Sequence, residues 1–491
     1  MTKNIRVRFA PSPTGALHMG NLRAALFNWL FAKKHDGRFV LRIEDTDTAR
    51  STKEAEDNIL TDLAWAGMDI DEGPSVGGDY APYRQSERSE LYTKYLNQLI
   101  EEKKAYRCYC SVEELEAHKR ERIRRSLMPA YSNKCRDLTP EDEEKYVKEG
   151  RDPVIRLRVK EGAVKLNDIV KGEISYDSSS LGGDFIVQRS NGEFVYNFTV
   201  VIDDALMQIS HVIRGEDHLT NTFKQILLYE GLSLTPPQFA HCPLILGDDK
   251  KKLKKRFLTE AFAMFRRDGI IPEALLNYTA LLGWSNKDKK EIFTTAELIE
   301  AFDLKNVSTS PSVFSYDKLK WVNGEHIKMM DDSIFAVALH DYLNQYHKDS
   351  LKSDCSINLG DISAERFREF SRLVKEGTDV LADVLTYIPM FLSENVTLSD
   401  DAAKALKSDG AIDVIKSFAK RLEAVPELNH ESYDNILNEI KSELKVKGKA
   451  LFMPIRVAVS GSTKGPHMDD LCTFLQKGLV TKRVLCVINN M

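Results

Sequence analysis

"RFAPSPTGALHMGNLRAALFNWLFAKK", residues 8–34, sets two prolines, a glycine and a histidine between an alternating apolar stretch and a helical one. Upstream, Ile5, Val7 and Phe9 alternate with Arg6 and Arg8, the period of a half-buried strand. Downstream, Leu22, Ala25, Leu26, Trp29, Leu30 and Ala32 recur at helical spacing, which predicts a helix starting near Met19–Gly20. "RFVLRIED" then resumes a β run, Phe39 to Ile43, that stops at Glu44 and Asp45. One βαβ unit accounts for all three pieces, and its crossover helix requires the strands to be parallel. Ligands of such sheets sit beyond the carboxyl ends of the strands. Both punctuated segments, 11–20 and 44–47, fall there.

Further along, charged helical stretches and short strands such as "PVIRLRV" and "DFIVQRS" separate this unit from "FVYNFTVVIDDALM" and "SHVIRGEDHL", where the parallel-sheet pattern returns. An α/β core interrupted by an insertion is the economical arrangement. Beyond Lys255 the pattern is mainly helical, as in "PEALLNYTALLGW", "AIDVIKSFAKRLEAV" and "ESYDNILNEIKSELKV", until a strand-like "RVLCVI" near the end. A chain of 491 residues calls for several domains, since single cores stop growing at roughly 250–300 residues.

Hydrophobic residues at 42% and charged residues at 29% are ordinary for a globular protein, so disorder is not the default. The net charge of −5 argues against a uniformly basic nucleic-acid binder. One local run is strongly basic, "KKKLKKR" at 250–256, read either as a solvated surface or as a functional loop. The start of the chain lacks the apolar core of a signal peptide and no run has the length of a membrane span, so a cytoplasmic location is expected. Of seven cysteines, Cys108, Cys110 and Cys135 alone form a group.

A helix start presents unpaired N–H groups and the positive end of the helix dipole, which attract phosphate. His18 stands just before that start and can donate to a phosphate oxygen, while Gly20 clears space for a flat ligand. The pattern is neither a P-loop nor the glycine fingerprint of a dinucleotide fold. Arg8, Glu44 and Arg214 each fall at a strand end and should face one cleft. Cations opposite an anion suit a free amino acid, though structural salt bridges would give the same pattern.

These residues carry a resemblance. "RFAPSPTGALHMGNLR" is similar to the HIGH-motif segment of class I aminoacyl-tRNA synthetases. Together with "RIEDTD", "PYRQSERSELY", "YNFTVVIDD", "VIRGEDHL" and "LFMPIRVAVSG", it resembles the bacterial-type glutamyl-tRNA synthetases along nearly the whole chain. The resemblance implies a Rossmann-type parallel-sheet catalytic core with an α+β insertion, followed by α-helical stem-contact and anticodon-binding domains. It places the first half of the core at 1–107, an insertion receiving the tRNA acceptor end at 108–190, and the second half of the core at 191–249. The lysine loop and stem-contact domain take 250–325 and the anticodon-binding region takes 326–491.

It also implies that L-glutamate is activated by ATP with Mg²⁺ and transferred to the 3′ end of tRNA(Glu), and in some members of tRNA(Gln), by a monomer. Carried over by motif, the glutamate site is Arg8, Ala10, Ser12, Glu44, Tyr196 and Arg214, with Arg214 on the side-chain carboxylate. ATP falls to His18, Gly20, Asn21, Glu216, Asp217 and Lys255, and His18, Lys252 and Lys255 are the catalytic set. The family's KLSKR signature reads here Lys252-Leu253-Lys254-Lys255-Arg256, with a lysine replacing the serine. A structural Zn²⁺ held by Cys108, Cys110 and Cys135, with Asp137 or Tyr131 as fourth ligand, stands beside a metal-free insertion. An RNA-binding relative without catalysis is the alternative function; retention of His18, Glu44 and Arg214 weighs against it.

Overall fold

The computed structural model describes residues 5–15, 17–47, 50–251, 253, 261–355 and 357–490. They form two compact units, Met1–Met264 with Pro272–Lys318, and Phe265–Ile271 with Leu319–Met491. The first contains strands β1 (Arg6–Phe9), β2 (Arg38–Leu41), β3 (Ala105–Cys108), β4 (Val154–Leu157), β5 (Ala163–Asp168), β6 (Gly172–Asp177), β7 (Ile186–Gln188), β8 (His211–Gly215) and β9 (Gln238–Cys242). Six of these make one sheet in the order β2-β1-β8-β9-β5-β6. Every pairing from β2 to β5 is parallel, and β6 closes the edge antiparallel.

Between β1 and β2 runs helix α1 (Met19–Lys34), buried along most of its length. The crossover expected from the opening stretch is therefore present, and it is buried on most sides, Arg23 and Asn28 included, because it lies within the core. β1 is wholly buried, its arginines included. A parallel strand covered on both faces normally reads as continuous apolar sequence, so buried arginines need carboxylate partners: Arg6 pairs with Glu72 at 2.6 Å and Arg8 with Asp204 at 3.2 Å.

The strands of 154–188 divide between two sheets. β3, β4 and β7 form a separate antiparallel sheet, whereas the β5–β6 hairpin extends the main one through a parallel bridge from Asp168 to Phe239. The insertion read from sequence over 108–190 thus contributes to both.

Two strand expectations are corrected. "FVYNFTVVIDDALM" contains the helix Tyr196–Leu206, which buries Phe198 through Asp204. β-branched and aromatic residues suggested a strand, and a short run buried on every side carries no period to distinguish the two. "RVLCVI" lies inside the helix Met468–Asn489, where Val480, Arg483, Val484 and Val487 are buried at helical spacing.

The second unit is helical, built around Asp332–Tyr346, Ala364–Lys375, Ala411–Ala424, His430–Leu444, Lys449–Ser460 and Met468–Asn489. No helix among the described residues is long and apolar enough to cross a membrane.

Candidate active site

The site is assembled at the carboxyl ends of the parallel strands. The loop after β1 is tied to the segment after β2 by backbone bonds, from Arg42 N to Phe9 O at 3.0 Å, Glu44 N to Pro11 O at 3.0 Å and Thr52 N to Pro13 O at 3.1 Å. Ala10 and exposed Ser12 are thereby held beside Glu44.

His18 is the N-cap of α1. Its Nδ1 accepts from Gly20 N at 3.1 Å and Asn21 N at 3.2 Å, so the ring proton sits on Nε2. The helix start does not offer those two N–H groups to a ligand; it polarises an imidazole that presents Nε2–H. A Cβ on Gly20 would lie 3.0 Å from His18 Cε1, so the glycine makes room for this ring as well.

Beneath the loop lies a buried ion-pair network that the sequence did not reveal. Arg8 Nε is 3.2 Å from Asp204 Oδ1, and Arg42 reaches Asp204 at 2.6 Å, Glu44 at 3.1 Å and Asp203 at 3.8 Å. Arg88 pairs with Asp203 at 2.6 Å, and Gln85 and Tyr92 also donate to that carboxylate. Three guanidiniums thus meet three carboxylates. Burial works to raise the pKa of Asp204, but the charges of Arg8 and Arg42 outweigh it and hold the carboxyl below its ordinary range. At Glu44 burial prevails over Arg42 and Arg8 and the carboxyl titrates above its ordinary value.

Arg214 stands beside this network as an additional cation. Nη1 donates to Tyr196 Oη at 3.3 Å, Nη2 to Thr222 Oγ1 at 2.6 Å and Gln225 Oε1 at 2.7 Å, and Nε to His241 Nε2 at 3.3 Å. No carboxylate among the described residues comes within 4.0 Å of it. Burial lowers its pKa and the charge of Arg8 adds to that, against Tyr196, Asp204 and Glu44. Burial raises the pKa of Tyr196, and the charges of Arg214, Glu44, Arg8 and Asp204 all act on it, Arg214 being in direct contact.

Two further candidates, Glu216 and Asp217, follow β8 directly. Both oxygens of Glu216 accept from protein donors, Lys171 Nζ and the backbone N of Leu244 at 2.9 Å, which ties it to the segment after β9. Asp217 keeps a side chain 65% exposed. Lys252, Lys254, Lys255 and Arg256 lie outside the described residues.

In the insertion, the sulfurs of Cys108, Cys110 and Cys135 lie within 4.8 Å of one another, Cys110 and Cys135 at 3.5 Å. Tetrahedral zinc with Zn–S bonds near 2.3 Å sets its sulfurs roughly 3.8 Å apart, so this spacing fits. Tyr131 Oη is 3.2 Å from Cys108 Sγ and 3.7 Å from Cys110 Sγ. Asp137 is excluded as a ligand: it pairs with Arg158 at 2.8 Å and its side chain is 80% exposed.

In the second unit Lys441, Lys445, Lys447 and Lys449 are exposed. Arg483 is buried, its Nη1 and Nη2 donating to backbone carbonyls.

Residues 4–321 match the model of the class I tRNA synthetases (E and Q), catalytic domain, and residues 335–488 match an anticodon binding domain. The glutamate–tRNA ligase of Heliobacterium modesticaldum is 43% identical over 98% of this chain and 96% of its own. That of Bacillus subtilis is 42% identical over 99% of each. A crystal structure of a glutamate tRNA ligase from Elizabethkingia meningosepticum in complex with its amino acid superposes with a TM-score of 0.87, at 32% identity over 99% of both chains. The parallel α/β core, the helical second unit and these full-length matches agree: the chain belongs to the bacterial glutamate–tRNA ligases of class I.

Proposed function

We propose that this chain performs the glutamate–tRNA ligase reaction with Arg214 as the residue that selects the substrate's side-chain carboxylate. The observation that carries the reading is a buried guanidinium whose described hydrogen-bond partners are all neutral, next to an ion-pair network already balanced. A buried charge with no counter-charge is costly. A dicarboxylate ligand relieves that cost, and Glu44, a buried carboxylate whose charge acts on Arg214 and Tyr196, suits its ammonium.

Glutamate lies among Arg8, Ala10, Ser12, Glu44, Tyr196 and Arg214, and its α-carboxylate oxygen attacks the α-phosphorus of ATP as pyrophosphate leaves. The 2′-hydroxyl of the terminal adenosine of tRNA(Glu) then displaces AMP from the adenylate. His18 Nε2–H, polarised by the start of α1, donates to phosphate oxygens, with Gly20 and Asn21 shaping the nucleotide seat. Lys252 and Lys255 follow the charge on the leaving pyrophosphate, and Mg²⁺ arrives with ATP. No covalent nucleophile is needed, so rate comes from positioning and charge stabilisation. Zn²⁺ bound by Cys108, Cys110, Cys135 and Tyr131 would cross-link the insertion that receives the acceptor end.

Arg214→Gln tests the reading in tRNA-dependent ATP–pyrophosphate exchange. Removing one partner of a buried charge pair costs about 2–5 kcal/mol. The KM for glutamate should therefore rise at least roughly 30-fold, with the KM for ATP nearly unchanged. An unaltered KM for glutamate refutes the assignment.

A further inference from the structure

Three adjacent strands each place one chemistry-bearing residue at the carboxyl end of the sheet. Arg214 of β8 and His241 of β9 are direct cross-strand partners, and Asp168 ends β5, which pairs with β9. Asp168 is 2% exposed and His241 fully buried. Asp168 Oδ2 lies 2.7 Å from His241 Nδ1, and His241 Nε2 faces Arg214 Nε at 3.3 Å and Thr222 Oγ1 at 2.9 Å.

The protons follow from donor chemistry. Arg214 Nε–H can only donate, so His241 Nε2 accepts, and the ring proton sits on Nδ1 and is donated to Asp168. A protonated imidazole would set two N–H groups against each other. Burial and the nearby Arg214 charge also hold the His241 pKa below its ordinary value.

We propose that Asp168 and His241 are positioning residues for glutamate selection: Asp168 fixes the tautomer in which His241 anchors Arg214 through a neutral acceptor. A carboxylate in the place of His241 would also hold the guanidinium, but it would neutralise the cation and compete with the substrate carboxylate. The imidazole supplies the geometry without the charge. Gln225, oriented by its bond to Asn197 at 2.9 Å, and Thr222 act in the same way on Nη2. Nη1, whose described partner is Tyr196, is left as the edge toward the ligand. The inference rests on the assignment of Arg214 to the glutamate side chain.

Asp168→Asn separates this role from a structural one. Asp168 Oδ1 accepts from Val170 N at 2.9 Å and Lys171 N at 2.8 Å, bonds that an asparagine oxygen retains. Its amide would donate to His241 Nδ1, move the ring proton to Nε2 and turn that nitrogen against Arg214. The KM for glutamate in tRNA-dependent exchange should rise about 10- to 100-fold, the worth of an orphaned buried donor. The KM for ATP and kcat should stay within about threefold, as expected where only substrate binding is touched.

His241→Gln, which restores an acceptor near the Nε2 position, should keep the KM for glutamate within about threefold, whereas His241→Leu should raise it as Asp168→Asn does. Unchanged glutamate KM in Asp168→Asn and His241→Leu overturns the relay. So does a parallel rise in both substrate KM values with a lowered melting temperature. Arg214→Gln serves as the control: if it too leaves the glutamate KM unaltered, the site assignment fails rather than the relay.

Discussion

Glu44 carries a pH dependence that its surroundings make specific. Burial, only partly offset by Arg42 and Arg8, raises its pKa above 4.5. As the pH falls through that raised value the carboxyl becomes neutral, and a bound ammonium loses its counter-charge. The acid limb of kcat/KM for glutamate, which reports the free enzyme, should therefore begin above pH 4.5, and Glu44→Gln should lower kcat/KM and abolish the limb. A limb that persists in Glu44→Gln assigns it to another group. Asp137 and Cys135 make a second contrast between single residues. Because Asp137 faces Arg158 and Cys135 faces the sulfur cluster, Asp137→Ala should leave zinc content unchanged while Cys135→Ser lowers it, measured by metal analysis of the purified protein.

Within the helix Met468–Asn489, Gln476 has φ 62 and ψ 161, where the helix is kinked. Side chains other than glycine hold such conformations at a cost of about 1–3 kcal/mol. A glycine gives back about 0.4–1 kcal/mol through the entropy of the unfolded chain. Gln476→Gly should then stabilise by about 1 kcal/mol in denaturant unfolding. Seven residues later, Arg483 donates to Met390 O at 2.7 Å and Val459 O at 2.9 Å, and also to Ser393 O, tying together the ends of two other helices. Arg483→Met leaves buried carbonyls unpaired and should destabilise by about 3 kcal/mol. Unchanged stability in Arg483→Met would refute this tie.

At the scale of the whole molecule, two units with their own cores should unfold in separable steps, because two-state behaviour belongs to single domains. Calorimetry should resolve two transitions. Asp203→Asn, which loosens the buried contacts of Arg88, Gln85 and Tyr92, should lower one, and Gln476→Gly should raise the other. A single transition moved by both substitutions would show one cooperative molecule.

The amino-acid sequence by itself determined the βαβ start, the position of the helix after His18 and the family. Local periodicity, turn chemistry and contiguous motifs carry that information within a few residues of each position. Only the tertiary structure decided that Tyr196–Leu206 is a helix, that the 163–177 hairpin joins the main sheet, and that Asp137 pairs with Arg158 while the three cysteines cluster without it. It alone brought Asp204 to Arg8 and Arg42, and Asp168 and His241 behind Arg214. Those partners lie 27 to 196 residues apart along the chain, and a pairing between distant charges leaves no local pattern to read.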